Sequence, residues 1–358
     1  MGGPAAAWLL WCLLLTPPPF SSAADPVDCT YEPRRCAPIV TQTTLGKMLG
    51  LAGGGITSFK GVPFAEAPEL FRPAVLKKPW EGTLNATAYG AKCLQSGVMS
   101  AVGDAPSSSL IGSADCLTLN VWAPTTALPA DKGEAKAKAL LPVMVYIHGG
   151  GFNIGSAHSY GSMDDLAYSG TALARQGLIV VTVQYRLGAL GFFSHKDLGS
   201  SADPATGGMN GIRDQIVALQ WVQAHIESLG GDPKQVTING QSAGGESTCI
   251  LMVSPLVRKG LFHRMMAQSG ECIGPWGPQN QTQGFGMGAG LMQTLGVTSL
   301  EAMMKLSPSE IVSGGTSFFA VDGLVMPVMP IELWQTQTSF NTKQMLLGSV
   351  SLDAMQGP

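Results

Sequence analysis

Ser242 stands in a setting that favours nucleophilic chemistry. It is the central residue of a Gly-x-Ser-x-Gly pattern that runs from Gly240 to Gly244. A strand-like run, QVTIN, precedes the pattern, and a helix-like run, SAGGESTCILMV, begins at the serine. A serine at a tight strand-to-helix turn exposes its hydroxyl, and the N–H groups that open the helix favour negative charge there. The pattern predicts a nucleophile; the structural alternative is a glycine-rich turn with a helix-capping serine.

A glycine triplet provides a second element of the same chemistry. Gly149, Gly150 and Gly151 follow the buried-strand pattern LLPVMVYI. Consecutive glycines let the backbone approach a ligand closely and present its amides. With the amide of Ala243, they can hold the oxyanion of a tetrahedral intermediate, where one lost donor costs about 3–4 kcal/mol of transition-state stabilisation. A lone triplet is usually a flexible turn, but its combination with Ser242 indicates acyl transfer.

Alternating strand and helix patterns surround both motifs. Segments 140–148 and 177–185 are β-branched and apolar, as in strands buried on both faces, and 162–177 between them has a helical pattern. A further helix begins at Asn210, which we expect to cap it, and ends at the breaker 230–233. Its apolar positions at three-to-four spacing are Ile212, Ile216, Leu219, Val222 and Ile226. This order predicts an α/β fold with a mostly parallel central sheet and helices on both faces.

Composition and the N-terminal segment indicate a secreted globular protein. Of 358 residues, 45% are hydrophobic and 13% are charged, which predicts a large core, and the net charge of −3 argues against a nucleic-acid partner. Residues 5–15 are too short to span a bilayer and precede a stretch suited to signal-peptidase cleavage. We expect a signal peptide over 1–24, one domain over 25–358 and no membrane span. A buried N-terminal helix is the alternative.

The cysteines fit a protein that folds in an oxidising compartment. Cys12 would leave with the signal peptide, and six of the seven cysteines would remain. The local pairings are Cys29 with Cys36 and Cys93 with Cys116. Closing the second loop stabilises a fold by about 3 kcal/mol in the chain-entropy model.

The other two cysteines have no evident role in the sequence. Cys249 follows an expected helix start, and we expect it to pack as a small apolar residue. Cys272 has no obvious mate. Two sequons, at Asn85 and Asn280, are candidate glycosylation sites in a secreted chain, and either can also arise by chance.

Several motifs, taken together and in order, resemble those of the type-B carboxylesterases. This α/β-hydrolase family includes liver-type carboxylesterases, cholinesterases and several lipases. The resemblance extends from Gly46 to the end of the chain. The matching stretches are GVPFAEAPELFRP (61–73), ADCLTLNVWAP (114–124), HGGGFNIGS (148–156), QYRLGALGFF (184–193), ALQWVQAHIESLGGDPKQVTINGQSAGG (218–245), GLFHRMMAQSG (260–270), VDGLVMP (321–327) and MLLGSVSLDAM (345–355).

The resemblance assigns roles to individual residues. Ser242 would be the nucleophile, and the oxyanion-hole donors would be the backbone N–H groups of Gly150, Gly151 and Ala243. The acid of the triad falls on Asp353, in a position where most members carry Glu. Aspartate suffices to orient an imidazole and stabilise its charged form. The alternative for Asp353 is an ordinary loop residue after a strand.

The expected base is missing from the sequence. In this fold the triad runs serine, acid, histidine, yet no histidine follows Asp353. The five histidines are His148, His158, His195, His225 and His263. His148 begins the glycine loop and would support it, and no pattern marks the others as a base. We expect a truncated form of an active esterase; alternatively the chain ends here, and Ser242 lacks a base and reacts slowly.

Two departures from the family pattern bear on the substrate. Gln241 replaces the usual glutamate beside the nucleophile. Cys93 and Cys116 match the family's first disulfide, but the segment between them contains no Trp, Tyr or Phe. Cholinesterases use an aromatic of that loop to hold a quaternary ammonium group, so the chain is unlike a choline esterase. The small residues at 313–317 favour a roomier acyl pocket.

The sequence therefore predicts a secreted serine hydrolase that cleaves neutral carboxylic esters through an acyl-enzyme on Ser242. The partner would be a small-molecule ester; no cofactor or metal is required, and no Cys/His metal spacing is present. The oligomeric state is not indicated. The alternative is an esterase-like adhesion or carrier domain that has lost its chemistry, or an inactive fragment. Ser242 and the glycine triplet favour the enzyme, whereas the missing histidine favours the alternative.

Overall fold

The computed structural model of the chain describes most of the predicted domain. The described residues are 27–96, 109–129, 139–159, 168–200, 203, 205–257, 259–270, 272–273, 277–315, 319–336, 340–342 and 344–349. The predicted signal peptide over 1–24 and the predicted acid Asp353 lie outside these residues. Within the described ranges, no helix has both the length and the apolar character needed to cross a bilayer.

Fourteen strands are present in the described part of the chain. They are β1 Ala37–Thr43, β2 Gly46–Gly53, β3 Ile56–Pro63, β4 Ala65–Glu66, β5 Val75–Leu76, β6 Thr83–Asn85, β7 Gln95–Ser96, β8 Leu110–Ile111, β9 Thr118–Pro124, β10 Leu141–Ile147, β11 Ile179–Val183, β12 Gly231–Gln241, β13 Arg264–Gln268 and β14 Met345–Gly348.

The described helices are fewer and mostly short. They are α1 Thr171–Ala174, α2 Gly188–Phe192, α3 Asn210–His225, α4 Ala243–Val253, α5 Gln281–Thr294, α6 Leu300–Met303, α7 Pro308–Ser313 and α8 Pro330–Thr336, with 3₁₀ turns at Pro33–Arg35, Thr125–Ala127 and Ile226–Leu229.

Ten of the strands form one mixed sheet. Its order is β1-β2-β3-β9-β11-β10-β12-β13-β14, and β6 pairs with β2. From β11 to β14 the neighbours are parallel, as the alternating pattern predicted. From β1 to β11 they are antiparallel, and short turns join β1 to β2 and β2 to β3. The parallel half carries the serine and glycine motifs.

Strand β11, in the interior of the sheet, is buried and covered on both faces. All five residues of β11 are buried. Val180 packs with Trp122 and Ala174 of α1, whereas its neighbour Val181 belongs to the main core. Successive side chains of a strand point to opposite faces, so β11 has apolar partners on each side. These observations confirm the expected α/β architecture around the two motifs.

The amphipathic helix is α3, and its apolar stripe is confirmed. Every member of the predicted stripe, Ile212, Ile216, Leu219, Val222 and Ile226, is buried. The prediction that Asn210 caps this helix is wrong, because Asn210 is its first helical residue and Met209 holds the capping position. The Asn210 amide instead donates to the carbonyl of Phe71 at 2.8 Å. Gly230, in a left-handed conformation with φ 84°, ends the 3₁₀ turn that follows α3.

The helix predicted over 162–177 is much shorter where the structure describes it. Within 168–177, only Thr171–Ala174 is helical, and Gly177 follows with φ 84°. Ser169 lies outside the helix, and its hydroxyl donates to Asp28 at 3.3 Å. A β-carbon on Gly170 would lie 2.7 Å from the ring of Trp122. Tertiary contacts therefore override the helical pattern over residues 168–170.

Three disulfides link cysteines in the described part of the chain. Cys29 joins Cys36 and Cys93 joins Cys116, in line with the two local pairings. Cys249 joins Cys272 across a separation of 23 residues. The prediction that Cys249 packs as an apolar thiol is therefore wrong. Helix α4 packs along β13, and the chain that leaves β13 brings Cys272 back to α4.

Candidate active site

Ser242 forms the whole connection between β12 and α4. The strand ends at Gln241 and the helix begins at Ala243. Ser242 has φ 55° and ψ −127°, a conformation that costs a side-chain-bearing residue about 1–3 kcal/mol. Its N–H donates to the carbonyl of Gln268 at 2.8 Å, and its own carbonyl accepts from the N–H of Glu246 at 2.9 Å. Backbone hydrogen bonds on both sides hold the serine in this turn.

The glycines on either side of Ser242 are required by close backbone approaches. A β-carbon on Gly240 would lie 2.3 Å from the carbonyl of Gly244. A β-carbon on Gly244 would lie 2.0 Å from the carbonyl oxygen of Ile147, the last residue of β10. No side chain fits at either position without a shift of the backbone. The Gly-x-Ser-x-Gly pattern is therefore a packing requirement of this turn.

The glycine loop begins beside the serine turn. Strands β10 and β12 are parallel neighbours, and Ile147 pairs with Gly240. The chain thus leaves both strands at the same edge of the sheet. A β-carbon on Gly149 would lie 2.6 Å from the carbonyl oxygen of Gln241 and 3.2 Å from the Cβ of Ser242. The two sequence motifs are in direct contact.

The loop turns back immediately after this contact. Gly150 has φ 116° and Gly151 has φ 58°, values that favour glycine. The carbonyl of Gly150 accepts from the N–H groups of Asn153 and Ile154, both at 3.1 Å. Within the described ranges, the N–H groups of Gly150 and Gly151 make no hydrogen bond to another residue. These amides are available to a ligand at the loop, as is required of oxyanion donors.

His148 supports the glycine loop from the core. Its ring is fully buried and stacks on Tyr185, with 4.4 Å between the ring centroids. The Tyr185 hydroxyl donates to the His148 carbonyl at 2.8 Å. The His148 Nδ1 lies 2.9 Å from the carbonyl oxygen of Gly149, which can only accept, so Nδ1 carries the proton. Burial lowers the pKa of His148 to about 4, and the ring is neutral at neutral pH.

The other four histidines occupy structural positions. His158 is buried and stacks on Tyr89 at 4.6 Å between centroids. His225 is hydrogen-bonded to Thr44 at 2.6 Å, at the C-terminus of α3. His263 precedes β13 and therefore lies at the opposite end of the parallel strands from Ser242. His195 bonds the N–H of its neighbour Asp197. No described hydrogen bond joins a histidine to Ser242.

Three aromatic rings form an apolar wall next to the glycine loop. Phe152 directly follows Gly151 and has φ 60°. Its ring centroid lies 4.4 Å from that of Phe319 and 5.1 Å from that of Phe192. Phe319 follows the segment 313–317, whose small residues suggested a roomier acyl pocket; residues 316 and 317 of that segment lie outside the described residues. The wall is buried, with Phe152, Phe192 and Phe319 no more than 6% exposed, so it packs the start of the glycine loop against the core.

One buried ion pair near the site was not recognised in the sequence. The Arg186 side chain donates twice to Asp214 of α3, at 2.8 and 2.6 Å. The backbone N–H of Arg186 also donates to Asp214, at 3.0 Å. This pair fixes the segment after β11 against α3. The arginine lies in the family-like stretch QYRLGALGFF, but its partner is 28 residues away and the pairing leaves no local pattern.

The fold and the serine turn define the class of protein. A serine with positive φ follows the central strand of a sheet that is parallel around it, and a glycine loop follows the neighbouring strand at the same edge. This arrangement is that of an α/β-hydrolase. The chain belongs to the carboxylesterase family, whose model matches residues 37–356.

Relatives within this family are carboxylesterases and a lipase. Carboxylesterase 1C of Rattus norvegicus is 37% identical over 338 residues, which cover 87% of this chain and 57% of that protein. Liver carboxylesterase 1 of Oryctolagus cuniculus is 40% identical over 260 residues, covering 68% of this chain and 42% of that protein. Bile salt-activated lipase of Homo sapiens is 37% identical over 233 residues, or 65% of this chain and 28% of that protein. The chain thus spans between about a quarter and three fifths of these relatives.

Solved structures show the same fold. A PNB esterase superimposes with a TM-score of 0.70 and 29% identity, covering 87% of this chain and 63% of that one. A carboxylesterase of Geobacillus stearothermophilus gives a TM-score of 0.69 and 30% identity, covering 87% and 61%. The α/β-hydrolase prediction is confirmed by these likenesses.

Proposed function

We propose that the chain is the serine-bearing part of a carboxylic-ester hydrolase that works through an acyl-enzyme. The observation that carries this proposal is the contact between the strained turn at Ser242 and the glycine loop at Gly149. It places Ser242, which is partly exposed, next to a loop whose Gly150 and Gly151 N–H groups make no hydrogen bond to another described residue. A Gly-rich turn with a capping serine does not need this second loop, and Ser242 makes no side-chain cap to α4.

The proposed reaction has two steps. The Ser242 Oγ attacks the carbonyl carbon of the ester while a histidine takes its proton, and the carbonyl electrons move to oxygen. The N–H groups of Gly150, Gly151 and Ala243 hold that oxyanion. Its collapse expels the alcohol, which takes the proton, and leaves an acyl-serine. Water then attacks the acyl group by the same route and releases the carboxylic acid and the free hydroxyl.

The acid and the base are assigned by family order. We propose Asp353 as the acid that orients the histidine, since it follows β14 where the family places its triad acid. None of the five histidines is assigned as the base, because the described contacts give each of them a structural role. The base is therefore left unassigned, and family order places it after the acid.

We propose a neutral ester as the substrate. The aromatic wall of Phe152, Phe192 and Phe319 makes the interior beside the glycine loop apolar. Gln241 adds no charge beside the nucleophile. Neither feature favours a charged substrate, and no cofactor or metal takes part in the proposed steps.

We also propose that the protein is secreted, with a signal peptide over 1–24 and glycans on two asparagines. Its three disulfides suit an oxidising compartment. Asn85 is exposed, and its Oδ1 accepts from the hydroxyl of Thr87 at 2.7 Å. Asn280 is exposed and caps α5 through its Oδ1, which leaves its Nδ2 for a glycan. Loss of mass from both tryptic peptides upon treatment with an N-glycanase would test this.

Fluorophosphonate labelling and ester hydrolysis test the proposed nucleophile. We expect the secreted chain to incorporate the label on the peptide that contains Ser242, and the Ser242→Ala variant to lose the label and any turnover of p-nitrophenyl butyrate. Ser228→Ala, which removes a hydroxyl that donates to the His225 carbonyl at the far end of α3, is the matched control and should behave like the native chain. Equal hydrolysis by native and Ser242→Ala chains would remove Ser242 from the mechanism. Absence of both label and hydrolysis in the native chain would instead favour a non-catalytic esterase-like domain.

A further inference from the structure

Gln95 connects the disulfide loop to the glycine loop through a set of buried hydrogen bonds. Its side chain is 2% exposed. The Nε2 donates to the carbonyl of Gly155 at 2.8 Å, and the Oε1 accepts from the N–H of the same residue at 2.8 Å. The second Nε2 hydrogen goes to the carbonyl of Cys93 at 2.9 Å. One amide thus holds both backbone groups of Gly155, as a neighbouring strand would.

Gly155 lies where the glycine loop, residues 148–156, returns past its own first residues. It has φ 108°, and a β-carbon there would lie 2.5 Å from the carbonyl oxygen of Gly149 and 2.7 Å from the Nδ1 of His148. A β-carbon on Gly150 would lie 2.1 Å from the carbonyl oxygen of Ile154. The backbone of residues 148–150 is therefore in contact with that of residues 154 and 155. A displacement of Gly155 necessarily displaces Gly149 or opens the loop.

The anchor for Gln95 is itself fixed. Cys93, two residues before it, is bonded to Cys116, and both sulfur-bearing side chains are 1% exposed. Gln95 begins the short strand β7, which pairs with β8. The N–H of Leu94 also donates to the carbonyl of Ser113 at 3.0 Å. The Gln95 amide is therefore presented from a disulfide-linked segment to a loop, residues 148–156, that belongs to no strand.

We propose that Gln95 is a positioning residue that sets the geometry of the oxyanion donors. The contacts run in sequence from the disulfide to Gln95, from Gln95 to Gly155, from Gly155 to Gly149, and from Gly149 to Ser242. The proposal rests on the proposed function, because it assigns the Gly150 and Gly151 amides to the oxyanion. Gln95 does not touch the reacting atoms.

If Gln95 contributed only to stability, its substitution would have a different effect on the kinetics. Removing buried hydrogen bonds lowers stability wherever they lie. Moving oxyanion donors lowers the rate of the chemical step and leaves ground-state binding of the ester nearly unchanged. A loss in kcat at constant KM therefore separates positioning from stability alone.

The chain contains a matched control for this test. Gln223 also bridges two backbone carbonyls through its Nε2, donating to Pro233 at 2.8 Å and to Leu261 at 3.1 Å. These carbonyls lie at the amino-terminal ends of β12 and β13, opposite the edge that carries Ser242. Gln223→Met removes a comparable pair of hydrogen bonds far from the glycine loop.

The experiment compares Gln95→Met, Gln95→Glu and Gln223→Met with the full native chain. Gln95→Glu keeps the shape of the amide, but even when protonated its carboxyl group can donate to only one of the two carbonyls. It provides a second variant if Gln95→Met does not fold. We measure kcat and KM for p-nitrophenyl butyrate, and hydrogen exchange of residues 148–156 by mass spectrometry. Both Gln95 variants should show kcat at least tenfold lower with KM within twofold. Exchange in 148–156 should be at least tenfold faster, and Gln223→Met should change neither quantity.

Two results would overturn the inference. One is unchanged kcat in a Gln95 variant whose parent shows Ser242-dependent hydrolysis. The other is unchanged exchange of 148–156 in both Gln95 variants, which needs no activity to be observed. Hydrolysis that persists in Ser242→Ala would contradict the proposed function instead, and the exchange measurement would still decide whether Gln95 holds the loop.

Discussion

A β-carbon on Gly149 would lie 3.2 Å from the Cβ of Ser242, so the glycine loop and the serine turn touch. The contact follows from the register of two parallel strands, in which Ile147 pairs with Gly240. Gly149 and Ser242 each lie two residues beyond that pair. Parallel strands that end together deliver their loops to one place, which is why α/β proteins assemble sites at this edge of the sheet. Two motifs about ninety positions apart in the sequence thereby become neighbours.

The strained conformation of Ser242 predicts an unusual order of stability. At φ 55° and ψ −127°, glycine is unstrained and alanine is not. We expect Ser242→Gly to be more stable than Ser242→Ala by about 1–2 kcal/mol, although glycine is normally the less stable of the two. Urea unfolding of both variants measures this difference. Alanine equal to or more stable than glycine would show that the turn is relaxed.

The parts of the site that could be predicted from sequence are those set by neighbouring residues. The turn at Ser242 requires glycines within two positions, and β10 and β12 are marked by local apolar runs. The stripe of α3 is likewise a local repeat. Such features depend on periodicity and chain geometry, which the sequence displays directly.

The parts that could not be predicted depend on partners distant in the chain. Gln95 meets Gly155 across 60 residues, and Asn210 meets Phe71 across 139. Cys249 can form its disulfide with Cys272 only because the chain after β13 returns to α4. A buried amide or thiol looks the same in sequence whether it has a partner or not, so Asn210 suggested a helix cap and Cys249 an apolar residue.

Two helical glycines should respond in opposite directions to the same substitution. A β-carbon on Gly244 would lie 2.0 Å from the backbone oxygen of Ile147, whereas one on Gly286 of α5 meets no atom within 4 Å. We expect Gly244→Ala to destabilise the protein by about 3 kcal/mol through overpacking against the backbone. Gly286→Ala should stabilise it by about 0.5–1 kcal/mol, because alanine is the better helix former. Thermal unfolding of the pair measures both signs, and a neutral Gly244→Ala would disprove the close approach.

The unforeseen disulfide should contribute measurably to stability. Cys249 lies on α4, seven residues beyond Ser242, and Cys272 lies beyond the end of β13. A bridge across 23 residues stabilises by about 3 kcal/mol in the chain-entropy model. We expect the double variant Cys249→Ala, Cys272→Ala to lose about that amount in guanidinium unfolding. A loss below about 1 kcal/mol, or a non-reduced digest in which the two peptides run separately, would contradict this.

Asp322 is a buried carboxylate whose ionisation should destabilise the fold. It is 1% exposed, and its Oδ1 accepts from the N–H groups of Leu324 and Met326 at 3.0 and 3.1 Å. Among the described residues, its Oδ2 has no hydrogen-bond partner. Burial raises the pKa of Asp322 to about 6, despite these backbone donors and the attraction of Arg213.

The raised pKa fixes the sign of the pH dependence. Between about pH 4 and pH 6 the unfolded chain has lost this proton while the folded protein keeps it, so stability falls as pH rises through that window. Above pH 6 the full penalty applies, on the order of 3 kcal/mol for a shift of about two units. Asp322→Asn keeps the Oδ1 acceptor and cannot ionise. We expect this variant to be about 2–3 kcal/mol more stable than the native chain at pH 7.5 and nearly equal to it at pH 4.

Urea unfolding of Asp322→Asn at several pH values between 4 and 8 measures this effect. Asp232→Asn is the contrasting variant, because hydrogen bonds from Gln235 and the Lys234 N–H lower the pKa of that exposed carboxyl. Its removal should leave stability unchanged or slightly lower at neutral pH, since an ionised Asp232 is favoured in the folded state. A gain in stability should therefore appear in Asp322→Asn and not in Asp232→Asn, and it should grow with pH through the window from 4 to 6. A native carboxylate held by partners that satisfy both oxygens would instead make Asp322→Asn destabilising at pH 7.5, and that result would exclude the buried, half-satisfied state.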